Sequence, residues 1–278
     1  MSIISDDLRA RQTQLIDAWL TDMRVRGRAD STIDTYAEIT RRAHAELLYG
    51  LAGSTNDELK AWIWRPGRAP ATRKLYRAAL VSFCRWSVAQ GYVDFDAASG
   101  LPTVSVPEGP VRLAPQDVLA DILARAAQPY RLWVLLAAGM GLRCVEVSRL
   151  DREHVTAEQT WVQGKGAKNA YMPTHPAVWA AVAGLPDGPV ARKRDGSRAS
   201  RIDVRVRANA HIARLGHKGV TMHQFRRWYG DSIFRAAARD PMIAKAALRH
   251  SDVKVTQRYL RTDNLEVTAA QLAIPLPI

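Results

Sequence analysis

The sequence predicts a mainly α-helical protein of two domains, the second α+β with a small β-hairpin. Three observations predict it. Apolar residues recur at helical spacing through the first hundred residues, a proline- and glycine-bearing stretch interrupts that pattern, and beyond it only one segment reads as paired strands. The implied boundaries are a helical domain over 1–102, an interdomain linker over 103–115 and an α+β domain over 116–278.

Along residues 8–26, Leu8, Leu15, Trp19 and Met23 fall near one helical face. Ser31 and Thr32 resemble an N-cap opening a second helix through Tyr36 and Ile39, and a third covers 57–64. Pro70-Ala71-Thr72 introduces a fourth helix that Gly91 ends; Leu75, Ala79, Phe83 and Trp86 face its core, with Arg73, Lys74, Arg77 and Arg85 more exposed. Residues 100–115 carry four prolines and two glycines and read as an extended linker. Two helices follow, PQDVLADILARAA and PYRLWVLLAAGMG, the second broken by Gly139 and Gly141, and then a short one, CVEVSRLD. TWVQGKGAKNAYMPTH reads as two strands around a Gly-Lys-Gly turn. The remainder is mostly helical and closes on a short apolar helix around 265–272.

Charge limits the function. Forty Lys and Arg against twenty-seven Asp and Glu give +13 and a pI near 10.2, which favours a polyanionic partner. The excess lies beyond the first domain: fourteen basic residues face twelve acidic ones in 1–102, but twenty-six face fifteen in 103–278. The densest stretch, 192–218, holds nine basic residues and two acidic ones, Asp195 and Asp203. The plain alternative is a solvated basic face; a membrane surface is disfavoured because no amphipathic basic helix is present. No apolar run is long enough to span a bilayer, and the N-terminus lacks secretory signal features. Cys84 and Cys144 have neither zinc-ligand spacing nor a disulfide framework, so no metal is expected and a reducing cytosol fits.

Several segments carry chemistry-bearing side chains. In GLRCVEVSRL, Arg143 stands at a helix start and Glu146 lies three residues on, placed to steer the guanidinium; alone, such a pair is usually a surface ion pair. Lys165 sits at the hairpin tip, where a solvated turn lysine is the ordinary account, and Lys168 follows it. His223 and Arg226 are one helical turn apart, and His250 precedes Tyr259 by nine residues in LRHSDVKVTQRYL. Each has a structural explanation when taken alone.

Together, in order and spacing, these segments resemble the boxes of the tyrosine recombinases, the family of phage integrases and Xer-like recombinases. GLRCVEVSRL resembles the first arginine box, VQGKGAKNAYMP the lysine hairpin, HQFRRWYGDSIF the His-x-x-Arg box and LRHSDVKVTQRYL the histidine-to-tyrosine segment. The match covers about the last 140 residues, with weaker likeness of the first hundred to a helical core-type DNA-binding domain. It departs at Arg227, where the family usually has histidine, and at Leu248-Arg249-His250, where it usually reads Leu-Gly-His.

The resemblance implies a catalytic set of Arg143, Lys165, His223, Arg226, His250 and Tyr259, supported by Glu146. Phosphodiester exchange gathers negative charge on the equatorial oxygens of the transition state, which the planar forks of Arg143 and Arg226 suit. Tyr259 would attack phosphorus, His223 accept its proton, Lys165 protonate the leaving 5′ oxygen, and His250 donate to a phosphate oxygen. Lys168 competes for the hairpin role. A 3′-phosphotyrosine intermediate follows, with no cofactor, no ATP and no metal. The expected partners are double-stranded DNA with core-type attachment sites, a homotetramer on two sites exchanging strands through a Holliday junction, and an excision (directionality) factor.

DNA contacts are expected from Arg73, Lys74 and Arg77 of the first domain, from Arg201, Arg205 and Arg207 of the second, and from Lys168, Arg227 and Arg249 beside the boxes. Only about ten residues precede the first helix, so a small integrase without an arm-binding domain is expected, acting in the bacterial cytoplasm at the nucleoid. The expected role is phage or prophage integration and excision. Xer-like dimer resolution, a type IB topoisomerase and an inactive DNA-binding regulator are the alternatives. The tail after Tyr259 either docks on its own domain or on a neighbouring protomer.

Overall fold

A computed structural model of the chain describes residues 5–107, 112–164, 169–238, 240–249 and 264–277. The chain divides into two units, Met1–Pro110 and Val111–Ile278. The first is built from α1 (Asp6–Val25), α2 (Asp30–Glu46), α3 (Asn56–Ile63) and α4 (Pro70–Ala89). Ser5 caps α1 by accepting from the Leu8 N–H, and Asp6 and Asp7 place negative charge against the N-terminal amides. The third helix is capped reciprocally by Thr55 and Glu58, and Pro70 occupies the first position of α4, where its missing N–H costs nothing. Trp19, Trp62 and Phe83 form the centre of the core, with Trp19 edge-on to Phe83 at 5.5 Å.

Three expectations for this unit need correction. Helix α2 starts at Asp30, with Ala29 at the cap position making no side-chain cap and Asp30 giving the first turn its negative charge; Ser31 is helical and its carbonyl accepts from Thr35 Oγ1. Leu8 and Leu75 are exposed, at 44% and 41%. The buried face of α1 begins one turn later, at Gln12, and that of α4 runs through Ala79, Leu80, Phe83 and Cys84, which leaves Leu75 at its edge.

The second unit comprises α5 (Gln116–Arg125), α6 (Tyr130–Met140), α7 (Cys144–Arg149), β1 (Gln159–Gln163), β2 (Asn169–Pro173), α8 (Pro176–Val182), α9 (Arg201–Arg214), α10 (Met222–Ala236), α11 (Pro241–Leu248) and α12 (Asn264–Leu272). Its centre is α6, buried without a break from Leu132 to Met140, with α5, α8, α9 and α10 packed around it. The two strands pair antiparallel with Trp161 opposite Tyr171, and Val162 and Met172 turn inward. No helix among the described residues is long and apolar enough to cross a membrane.

Gly139 does not break α6 as expected; it lies inside the helix, where a Cβ would stand 3.1 Å from Val178 Cγ2, so its smallness lets α8 approach. Gly141 does end the helix, in the left-handed region at φ +61°. A Cβ there would meet Tyr229 Cδ1 at 2.4 Å. Gly141→Ala is therefore expected to lower stability in urea denaturation by about 2–4 kcal/mol, from the conformational penalty and the clash together. Gly184→Ala, where a Cβ meets nothing within 4 Å, is the control and should change stability by under about 0.5 kcal/mol. Equal losses at both sites would remove this explanation.

The tail docks on its own unit. Val267 and Ile274 enter the core, Tyr229 Oη donates to Gln271 Oε1 at 2.9 Å, and Gln271 Nε2 donates to the Pro173 carbonyl at 2.5 Å. This polar chain satisfies three buried groups and fastens α12 to both α10 and β2.

Candidate active site

The turn between α6 and α7 places Arg143 immediately before α7, and Glu146 one turn into it. Glu146 is 1% exposed and reaches back to accept from the Arg143 N–H at 2.8 Å and from Arg143 Nη1 at 2.8 Å. The i,i+3 spacing puts carboxylate and guanidinium on one face, as expected. Arg143 itself is half-buried, with 35% of its side chain exposed.

Arg226 reaches the same carboxylate from α10. It is buried, its Nη1 lies 3.7 Å from Glu146 Oε2 and donates to the Gly141 carbonyl, and its Nη2 donates to the Leu248 carbonyl at 2.5 Å. Arg249, directly after α11, supplies a third guanidinium: Nη2 donates to Glu146 Oε2 at 2.7 Å, and Nη1 lies against Met172 Sδ. Three cations thus converge on one buried anion. The centre keeps an excess of positive charge suited to a polyanion.

Proton affinities follow from this packing. Burial pushes the Glu146 carboxyl up, but Arg249, the Arg143 N–H, Arg226 and the Arg143 guanidinium more than offset it, so it sits below its ordinary value. Burial first, and then Arg143, draw the Arg226 guanidinium down to about 9, still charged at neutral pH. His223 is exposed one turn before Arg226; partial desolvation, then Arg227, Arg226 and Arg143, lower its pKa and favour the neutral imidazole. A neutral ring beside fixed cations can accept a proton.

The structure therefore brings Arg143, Glu146, His223 and Arg226 into one centre. Lys165, Lys168, His250 and Tyr259 lie outside the described residues. On α9, Arg201, Arg205 and Arg207 are exposed, Arg207 pairing with Asp203 at 3.3 Å, and Arg227 is exposed on α10. In the first unit Lys74 is exposed and Arg73 half-buried. Two residues expected at DNA are turned elsewhere. Arg77 donates from Nε and Nη2 to the Leu101 carbonyl at 3.2 and 2.9 Å, stapling α4 to the chain that follows it. Arg249 has only 15% of its side chain exposed because Glu146 draws it inward. Sequence reasoning missed that role, although a charged residue at a helix end, where glycine is the usual occupant, was a signal.

No protein-family model matches the chain. The chain is 26% identical to tyrosine recombinase XerC of Salmonella typhi over 224 residues, 72% of each protein. Its fold is similar to that of the integrase from mycobacterium phage Brujita, with a TM-score of 0.54, 21% identity and coverage of 96% of this chain and 94% of that one. It is also similar to a lambda integrase tetramer bound to a Holliday junction, with a TM-score of 0.69, 16% identity and coverage of 95% and 85%.

Proposed function

We propose that the chain is a member of the tyrosine recombinase and integrase family, a site-specific DNA recombinase that cuts and rejoins strands through a 3′-phosphotyrosine and serves phage or prophage integration and excision. The observation that carries this reading is the convergence of Arg143 and Arg226 on Glu146 beside a deprotonatable His223. A carboxylate shared by two guanidiniums holds their forks in fixed directions, and fixed cations are what a phosphoryl transition state needs.

In the reaction, the Tyr259 oxygen attacks phosphorus and passes its proton to His223. The bond from phosphorus to the 5′ oxygen breaks, and Lys165 protonates that oxygen. A 5′ hydroxyl from the second duplex then attacks the phosphotyrosine and gives its proton to Lys165, while the tyrosine–phosphorus bond breaks and His223 returns its proton to the Tyr259 oxygen. Arg143, Arg226 and His250 hold the phosphate oxygens throughout. One phosphodiester is exchanged for another, so the balance closes without ATP. Two of the five Arg226 N–H donors are spent on backbone carbonyls, which locks the fork.

Four protomers on two core-type sites, joined through a Holliday junction, fit the assembly named for the lambda integrase neighbour. Exposed Arg201, Arg205 and Arg227 are the phosphate contacts of the second unit, with Lys168 at the hairpin, and Lys74 that of the first. An excision factor sets direction, and the protein works at the bacterial nucleoid. The likeness to XerC supports a second reading, dimer resolution by the same chemistry.

The test is a nicked suicide duplex, whose cleaved strand loses the 5′ hydroxyl needed for rejoining. A protein–DNA adduct that survives denaturant is expected; none would overturn the reading. Relaxation of supercoils without joining of paired sites would indicate a type IB topoisomerase.

A further inference from the structure

Helix α11 ends at Leu248, and Arg249, which terminates it, occupies the left-handed region at φ +50°. That conformation is unfavourable for a residue with a Cβ, and glycine or asparagine is the usual occupant. The Arg249 N–H closes the helix on the Lys245 and Ala246 carbonyls, and contacts beyond the helix add to that cap. The guanidinium donates to Glu146 Oε2 at 2.7 Å, across 103 residues of chain, and rests on Met172 of β2. The carbonyl immediately before it, that of Leu248, accepts from Arg226 Nη2 at 2.5 Å. The exit of α11 is thus gripped at two successive residues by one buried centre, through the backbone by Arg226 and through a side chain by Glu146. In the sequence the next residue is His250, and Tyr259 stands ten residues beyond Arg249.

We propose that Arg249 is a positioning residue: by anchoring to Glu146 in a left-handed turn, it fixes the direction in which the chain leaves α11 relative to Arg143 and Arg226. This rests on the reading of those arginines as the phosphate-binding pair and of Tyr259 as the nucleophile. A simple helix stop would be met by glycine without any ion pair. A contact to the DNA backbone needs an exposed guanidinium, and this one has 15% of its side chain exposed. Anchoring on Glu146 uses both the strained backbone and the inward side chain. It also ties the exit of α11 to the same carboxylate that aligns the forks, so one anion holds Arg143, Arg226 and Arg249.

The test begins with a pool of nicked duplexes of randomised core, from which the duplex forming most adduct with the wild-type protein is taken. Single-turnover cleavage at saturating DNA and equilibrium binding are then compared for wild type, Arg249→Gly, Arg249→Lys and Tyr259→Phe, each normalised to folded protein by circular dichroism. Arg249→Gly keeps the left-handed backbone accessible and removes the anchor. It is expected to slow cleavage by about 10- to 100-fold, the scale of a small misplacement of reacting groups, with Kd within about threefold. Arg249→Lys restores a cation without the fork and should recover part of the rate. Wild-type cleavage with weakened Kd would make Arg249 a DNA contact and overturn the proposal. Wild-type rate and Kd with a lowered Tm would reduce it to a structural ion pair, overturning it as well. Failure of the wild-type protein to enrich any adduct, or an adduct persisting in Tyr259→Phe, overturns the recombinase reading itself and this role with it.

Discussion

Tyr259→Phe is expected to yield no denaturant-resistant adduct with a nicked duplex, a loss of roughly 10⁴-fold or more in cleavage, while duplex affinity stays within about threefold. The substitution deletes one oxygen and keeps the ring, so packing and net charge are unchanged and the loss reports the nucleophile. The chain has eight tyrosines, and the assignment must exclude its neighbours in the second unit. Tyr229 is poorly suited: it is buried, its hydroxyl donates to Gln271, and burial pushes its phenol well above the usual value. Tyr130 is stacked on His211 at 4.4 Å, at the end of α6 remote in sequence from Arg143. Tyr171 is the sharper control, because it stands 61% exposed on β2, next to the Met172 that touches Arg249. Tyr171→Phe should retain the adduct, and peptide mapping should find DNA on Tyr259. An adduct of wild-type yield in Tyr259→Phe, or one mapped to Tyr171, would sink the assignment.

Much of this architecture is legible in the sequence, and the illegible part has a physical pattern. The helices and the β1–β2 hairpin are legible because apolar periodicity and turn residues are local signals. The Arg143–Glu146 pair and the His223–Arg226 turn are legible for the same reason, since three residues along a helix return to one face. The acceptors that lock Arg226 are not, because they are backbone carbonyls 85 and 22 residues away, and every residue has a carbonyl. The inward turn of Arg249 depends on a carboxylate 103 residues distant. Gly139 shows the other failure. Its local preference opposes a helix, yet close approach of α8 overrides that preference. Leu8 and Leu75 fail for a related reason: periodicity says which residues share a face, not where along the helix the partner stops.

Glu146→Gln is expected to cost about 3–5 kcal/mol of stability at pH 7, because it leaves buried guanidiniums without their anion. Shape is preserved, and the amide oxygen can still accept from the Arg143 N–H. Its NH₂ group, however, must face a guanidinium, and Arg143, Arg226 and Arg249 are left to repel one another. The pH dependence identifies the charge as the cause. The folded-state pKa of Glu146 lies below its unfolded value, so its contribution is present in full above the ordinary carboxylate value and is lost as pH falls through the folded value. The gap between wild type and Glu146→Gln in urea denaturation should therefore be widest near neutrality and narrow on acidification. Were the carbonyls of Gly141 and Leu248 sufficient to hold the cluster, the gap would be under about 1 kcal/mol and indifferent to pH. That outcome would also separate the forks from their anchor. Arg226 would then owe its direction to backbone acceptors alone, and Arg249 would have no reason to turn inward.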